Sequence, residues 1–244
     1  MVQQRDFKGF PKECVRFFLD LQQNNNKAWF DAHRPEFDAY VMEPARQFVV
    51  AMGERLRQIA PGVHAEPEVN RSIFRIHRDI RFSKDKTPYK TNLAMWFWEG
   101  EGPRMGCSGF YFHLEPPNLL LGVGIHEFSD ALLGAFRQAV IEPQLGQALV
   151  EAIQSVSQPG IYSFGGQHYK RVPQGYDPGH PRAGFLLYNG LTAGQEIPIP
   201  EALYFPEIID ICYQRYREMS PIHTWLRGLA QKAPQAAPQV APSS

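Results

Sequence analysis

Four runs between Arg71 and His126 alternate apolar and polar residues with period two, the spacing of strands with one face buried. From Arg71 to Phe82, the residues Ser72, Phe74, Ile76, Arg78, Ile80 and Phe82 point one way. Arg71, Ile73, Arg75, His77, Asp79 and Arg81 point the other. From Thr91 to Trp98, Leu93, Met95 and Phe97 oppose Asn92, Ala94, Trp96 and Trp98. Phe110, Phe112 and Leu114 alternate with Tyr111, His113 and Glu115. Beyond the turn Pro116-Pro117-Asn118, Leu119, Leu121, Val123 and Ile125 alternate with Leu120, Gly122, Gly124 and His126. Connections this short suit an antiparallel meander, because parallel neighbours need a crossover of a dozen or more residues.

Helical spacing brackets these runs. Pro11 suits a first helical position, with Val15, Phe18 and Leu19 following. Asn24-Asn25-Asn26 ends that helix, and Asn26 caps one carrying Trp29 and Phe30. Phe37, Tyr40 and Val41 continue, and Pro44 opens a helix through Phe48, Met52, Leu56 and Ile59. After the strands, Ser129 caps a helix to about Ile141, and Pro143 starts another ending near Ser157. Gly160 to Pro200 reads as loops with short strands, among them Gly184 to Tyr188 before the turn pair Asn189-Gly190. Pro206 and Pro221 each open a final helix. The order predicts an α+β fold, a central mainly antiparallel sheet flanked by N-terminal and C-terminal helices. Residues 1–232 are expected to form a single domain, and the uncharged, Pro/Ala-rich tail 233–244 to be disordered.

Composition narrows the function classes. At 43% hydrophobic and 20% charged residues, a wholly disordered chain is excluded. No run of about 18 apolar residues is present, so no membrane span is expected. Twenty-five basic residues balance 25 acidic ones, which argues against a generally basic nucleic-acid binder. Cys14, Cys107 and Cys212 are far apart, so neither a disulfide framework nor a zinc knuckle is expected. The first eight residues lack the apolar core of a signal peptide, which points to the cytoplasm.

The neutral balance hides a concentration of charge. Arg71 to Lys90 holds seven basic residues (Arg71, Arg75, Arg78, Arg81, Lys84, Lys86 and Lys90) against Asp79 and Asp85, a net of +5. On a strand, Arg75, His77, Asp79 and Arg81 would share one face at about 6–7 Å spacing. Like charges so placed repel unless something negative intervenes, and guanidinium forks suit phosphate or carboxylate. An anionic small molecule, phosphorylated or nucleotide-like, is the expected ligand. Arg75, His77, Arg78, Arg81, Lys84, Lys86, Tyr89 and Lys90 are the expected binding residues. Arg78, on the opposite face, is also a candidate structural ion-pair partner. Trp96, Trp98, Tyr111, His113 and Glu115 add aromatics and a bare floor at Gly122 and Gly124, provided their faces align with Arg75–Arg81. Core packing is the simpler reading of Trp96 and Trp98.

Phosphate-loop, zinc-protease, nucleophile-elbow and dinucleotide motifs are missing from the chain. His113, Glu115, His126 and Glu127 are conceivable metal ligands, but without a recognised spacing they read better as hydrogen-bonded sheet residues, and no metal or other cofactor is expected.

The run Arg75-Ile-His-Arg78-Asp79-Ile-Arg81-Phe82-Ser-Lys-Asp85-Lys86-Thr-Pro-Tyr89 resembles R-x-x-R-D-x-R-F-x-x-D-K-x-x-Y, the signature of the domain of unknown function 2461 family. Phe18-Leu19-Asp20-Leu21, Asn24-Asn25, Trp29-Phe30 and Leu121-Gly122-Val123-Gly124 are similar to it too. The resemblance implies a single-domain soluble protein and brings no activity, substrate or catalytic residue.

Four readings compete. The first is anion recognition by the basic segment. The second is an enzyme in the same groove, with Asp79 as general base and His77 or His113 as acid. A carboxylate beside two arginines should be a weak base, which favours Asp79 as an orienter of Arg81. The third is nucleic-acid binding, disfavoured by having one patch instead of a basic chain. The fourth is a charged strand that only holds its own fold together.

Overall fold

Met95 lies opposite Phe112, and Phe112 opposite Leu121, in the computed structural model, which describes residues 7–158 and 160–232. The tail expected to be disordered lies outside the described residues. The three central strands are the expected meander: β2 (Leu93–Glu99), β3 (Gly109–Glu115) and β4 (Asn118–Ile125). β1 (Val63–His64) borders β2, and β5 (Ser163–Gln167) and β6 (Tyr188–Pro198) extend the far side. Among the described residues the sheet is antiparallel throughout, in the order β1-β2-β3-β4-β6-β5.

The apolar face of the sheet is covered by helices from both ends of the chain, the expected α+β arrangement. α1 (Lys12–Gln23), α2 (Lys27–Ala32), the single turn α3 (Arg34–Glu36), a π-helix (Phe37–Met42) and α4 (Glu43–Leu56) come first. α5 (Asp130–Ile141), α6 (Pro143–Ser157) and α7 (Ile208–Lys232) follow the meander. α7 packs on β4, and α4 and α6 pack on α7. Phe10, Phe48 and Phe112 meet in the interior, with Phe48 and Phe112 ring centres 4.8 Å apart. The two expected caps form: Asn26 accepts the Trp29 N–H at 3.0 Å and Ser129 the Leu132 N–H at 3.3 Å.

Three local expectations are corrected. Arg71–Phe82 is not a regular strand: it forms isolated bridges, Ile73 to Met95 and His77 to Tyr89. Ser72 and Ile73 are adjacent and both fully buried, which breaks the alternation, and Pro88, opposite Arg78, has no N–H to return. Pro221 lies inside α7 instead of starting a helix. The buried stripe Cys212, Tyr216, Met219, Ile222 and Leu226 runs across it, so packing outweighs the one missing hydrogen bond. Ala183–Leu187 is a 3-10 helix, and Asn189-Gly190 lies within β6. Gly190 serves close approach instead of a turn, since a Cβ there would collide with the His126 carbonyl.

Candidate functional site

The sheet's other face carries a second set of side chains. Trp96 lies opposite Tyr111, and Tyr111 opposite Gly122, so the aromatics and one of the bare glycines do share a face. Trp96 and Trp98 are buried with Cys107, and Phe74 and Tyr111 pack against this small second core. The Trp96 indole N–H donates to the Arg104 carbonyl at 3.0 Å, which folds the Gly100–Gly109 loop over the face. The Arg104 guanidinium therefore lies 4.5 Å from the Phe74 ring centre, with the Lys90 ammonium 5.5 Å from the same ring. Arg104 also donates to the Arg71 carbonyl.

These cations destabilise one another. Burial pushes the Lys90 ammonium below its ordinary value, and Arg75 and Arg104 push it further. Burial and then Arg71 do the same to Arg104. Among the described residues, Arg71 is the one member of the group in an ion pair, with Glu66 at 3.3 Å.

Beside the cations runs a polar chain. The His113 Nε2–H donates to Glu115 at 3.1 Å, and its Nδ1 accepts the Tyr111 hydroxyl at 2.9 Å. The Thr91 hydroxyl donates to the second Glu115 oxygen at 3.0 Å. Burial, then the Glu115 charge, pushes Tyr111 up to about 12, so near neutral pH it is a protonated donor. Strand alternation alone places these three side chains together.

The remaining sequence candidates lie elsewhere. Arg78 donates to Asp85 and to the hydroxyl and carbonyl of Thr87, so it staples the loop from within. The Thr87 N–H and Arg78 hold Asp85 down to about 2. Arg81 grips Asp79 with two hydrogen bonds of 2.9 and 2.6 Å, which hold that carboxyl below its ordinary range. Both Asp79 carboxylate oxygens are thus taken up by Arg81. Lys86 donates to the Ile80 carbonyl at 2.9 Å, and Lys84 is exposed. Tyr89 is 4% exposed and stacks on Phe30 at 4.2 Å, with His77 against it at 5.2 Å. Around Phe74 the fold therefore assembles Lys90 and the Tyr111–His113–Glu115 chain from the sequence candidates, with Arg75 near enough to Lys90 to disturb its charge. Arg104 had no sequence signal, because a glycine-rich loop of undetermined path separates it from the basic run. His113 and Glu115 bond each other, and among the described residues no cluster of three His, Cys, Asp or Glu suits a metal.

A family model described as "Conserved hypothetical protein (DUF2461)" matches residues 13–225. The chain belongs to this family. No curated protein and no solved structure matches it. The DUF2461 match runs from α1 into α7, and so includes the cationic face, the stapled loop and a second polar cluster that the sequence did not disclose. In that cluster His223 of α7 donates to Glu99 at 2.9 Å and accepts from the Ser108 hydroxyl at 3.0 Å, and all three are buried. The Gly62 N–H and the Arg227 guanidinium complete the partners of Glu99, at 2.8 and 3.3 Å. Among the described residues no helix of this DUF2461 chain is long and apolar enough to cross a membrane.

Proposed function

We propose that this DUF2461 protein binds a phosphate-bearing anion on the outer face of the sheet, between Arg75, Lys90 and Arg104. The observation that carries this reading is that Lys90 and Arg104 both stand over Phe74, with Arg75 near enough to disturb Lys90, while neither Lys90 nor Arg104 is in an ion pair among the described residues. Holding like charges together in a partly buried setting is unfavourable, and a bound anion would reverse the sign of that interaction. Two guanidinium forks and one ammonium match the geometry of a phosphate. Base stacking on this floor is disfavoured, since Trp96 and Trp98 are buried and Arg104 and Lys90 already cover Phe74. Arg81, Lys84 and Lys86 would guide approach from the loop.

A thermal-shift panel of orthophosphate, pyrophosphate, sugar phosphates and nucleotides tests the reading. An anion at 100 times its Kd adds about 2.7 kcal/mol, and a chain of this size should then melt about 5–10 °C higher. Arg104→Gln and Lys90→Gln should abolish the shift. Without anion, both variants should melt close to the parent, because the repulsion removed is offset by the lost contacts to Phe74 and, for Arg104, to the Arg71 carbonyl. Equal shifts in parent and both variants would refute the reading. The Tyr111–His113–Glu115 chain favours a second one, in which His113 moves a proton to or from the bound phosphate ester. In that case His113→Gln loses turnover of an ester that still shifts its melting point.

A further inference from the structure

Phe82 is 96% exposed at the tip of the loop, although the loop around it is tightly held. The Arg81–Asp79 fork, the Arg78–Asp85–Thr87 staple and the Lys86 bond to Ile80 tie the loop to itself. The Thr87 N–H adds a bond to Asp85 at 2.9 Å. Its neighbour Arg81 stands alongside it, with the guanidinium 5.9 Å from the ring centre. A preorganised loop that displays one large apolar ring loses little entropy when that ring is covered.

The ring's surroundings indicate what covers it. The hairpin ladder ends where the Arg78 N–H meets the Pro88 carbonyl at 2.9 Å, and the loop of Phe82 lies beyond that point. Arg75 and Lys90 lie on the two arms of the same hairpin before that point, and Arg104 reaches Phe74 beside them from the Gly100–Gly109 loop. From Arg75 to Arg78 alone the extended chain covers about 10 Å, more than the separation of a base from its own phosphate. The exposed Lys84 and the loop's excess of cations over Asp79 and Asp85 favour a negative ligand. Aromatic rings beside a cationic track are how single strands are held, one stacking on bases and the other following the backbone. A lone ring with Ile80 half-buried behind it offers little apolar area to a lipid surface.

We propose that the anion is single-stranded nucleic acid, with phosphates on Arg75, Lys90 and Arg104 and a base stacked on Phe82. This rests on the phosphate reading above, and the experiment separates the two. Fluorescein-labelled dT15 is titrated by anisotropy at several salt concentrations, with inorganic polyphosphate of similar length and ATP as competitors. Phe82 is 96% exposed, so Phe82→Ala should fold as the parent does. Phe82→Ala is expected to weaken dT15 about 5- to 150-fold, the loss of one stacked base, and to leave polyphosphate binding unchanged. Phe82→Trp should keep the affinity and show quenched indole emission on binding dT15. Lys90→Gln and Arg104→Gln should weaken dT15 and polyphosphate together and flatten the salt dependence.

If dT15 binds Phe82→Ala as tightly as the parent, or if polyphosphate binds and dT15 does not, the single-strand proposal falls and the phosphate reading stands. If neither dT15, polyphosphate nor ATP binds, both fall. ATP competing as well as dT15, with equal dependence on Phe82, would replace the strand by a free nucleotide. Phe82-dependent binding to phosphatidylserine vesicles without binding of dT15 would assign the ring to a membrane surface and overturn the proposal.

Discussion

Glu99→Ala is expected to destabilise the fold by about 3–5 kcal/mol, the usual cost of removing one partner from a buried charged network. For a chain of this length that lowers the melting midpoint by about 6–20 °C. The substitution strips the acceptor from three donors at once: the His223 ring, the Gly62 N–H and Arg227. Arg227 is 43% exposed on its side chain and can turn to water, whereas the His223 side chain is 1% exposed and cannot. The pH dependence has a definite sign. Burial alone would raise the Glu99 carboxyl, but His223, the Gly62 N–H and Arg227 outweigh it and hold it below its ordinary value. An unfolded chain therefore takes up this proton first on acidification, so acid favours unfolding. The contribution is fully present above about pH 4.3, the value for a free glutamate, and is lost as pH falls through the lower folded value. Asp79, Asp85, Glu142 and Glu218 are also held low, so the diagnostic is the difference between parent and Glu99→Gln. Urea melts from pH 3 to 7 should show the parent losing more stability than the glutamine variant in the acid limb. A Glu99→Ala midpoint within one degree of the parent would show that the cluster does not support the fold.

That cluster also shows where sequence reading stops. Local signals survived folding: the Asn26 and Ser129 caps, the β2–β3–β4 alternation, and the common face of Trp96, Tyr111, His113 and Gly122 all follow from neighbours in the chain. Glu99 and His223 are 124 residues apart, and no periodicity relates a strand end to the middle of a distant helix. Arg104 escaped for a related reason, since its position depends on the Trp96 indole capturing its carbonyl across a glycine-rich loop. Pro221 and Asn189-Gly190 misled because their punctuation value is a local preference. A buried stripe on α7 and the partner strand β4 outweighed those preferences. The basic run was legible as charge, but its division was not. Ion pairs inside the loop removed Arg78 and Arg81 from the cationic face, whereas Arg75 and Lys90 are in no ion pair among the described residues, although the Arg75 charge also acts on Asp79.

Tyr89 sits in that basic run, and its replacement separates a ligand contact from a positioning role. Tyr89→Ala is expected to lower stability by about 3–5 kcal/mol, because a large ring stacked 4.2 Å from fully buried Phe30 is lost and a cavity remains. It should also weaken phosphate binding in titrations run well below the melting point. The coupling has a clear route. Asn25 bonds both the N–H and the carbonyl of Tyr89, at 3.1 and 2.9 Å, which pins the returning arm of the hairpin to the N-terminal helices. The next residue, Lys90, donates its N–H to the Ile76 carbonyl at 2.8 Å and carries one of the two cations over Phe74. Loosening the ring therefore loosens the placement of Lys90 relative to Arg75 and Arg104. Tyr89→Phe keeps the stack and the backbone ties, so it should restore both stability and affinity. If Tyr89→Phe instead kept stability and lost affinity, the hydroxyl would have to touch the anion, and the site would lie on the opposite side of the hairpin from Phe74.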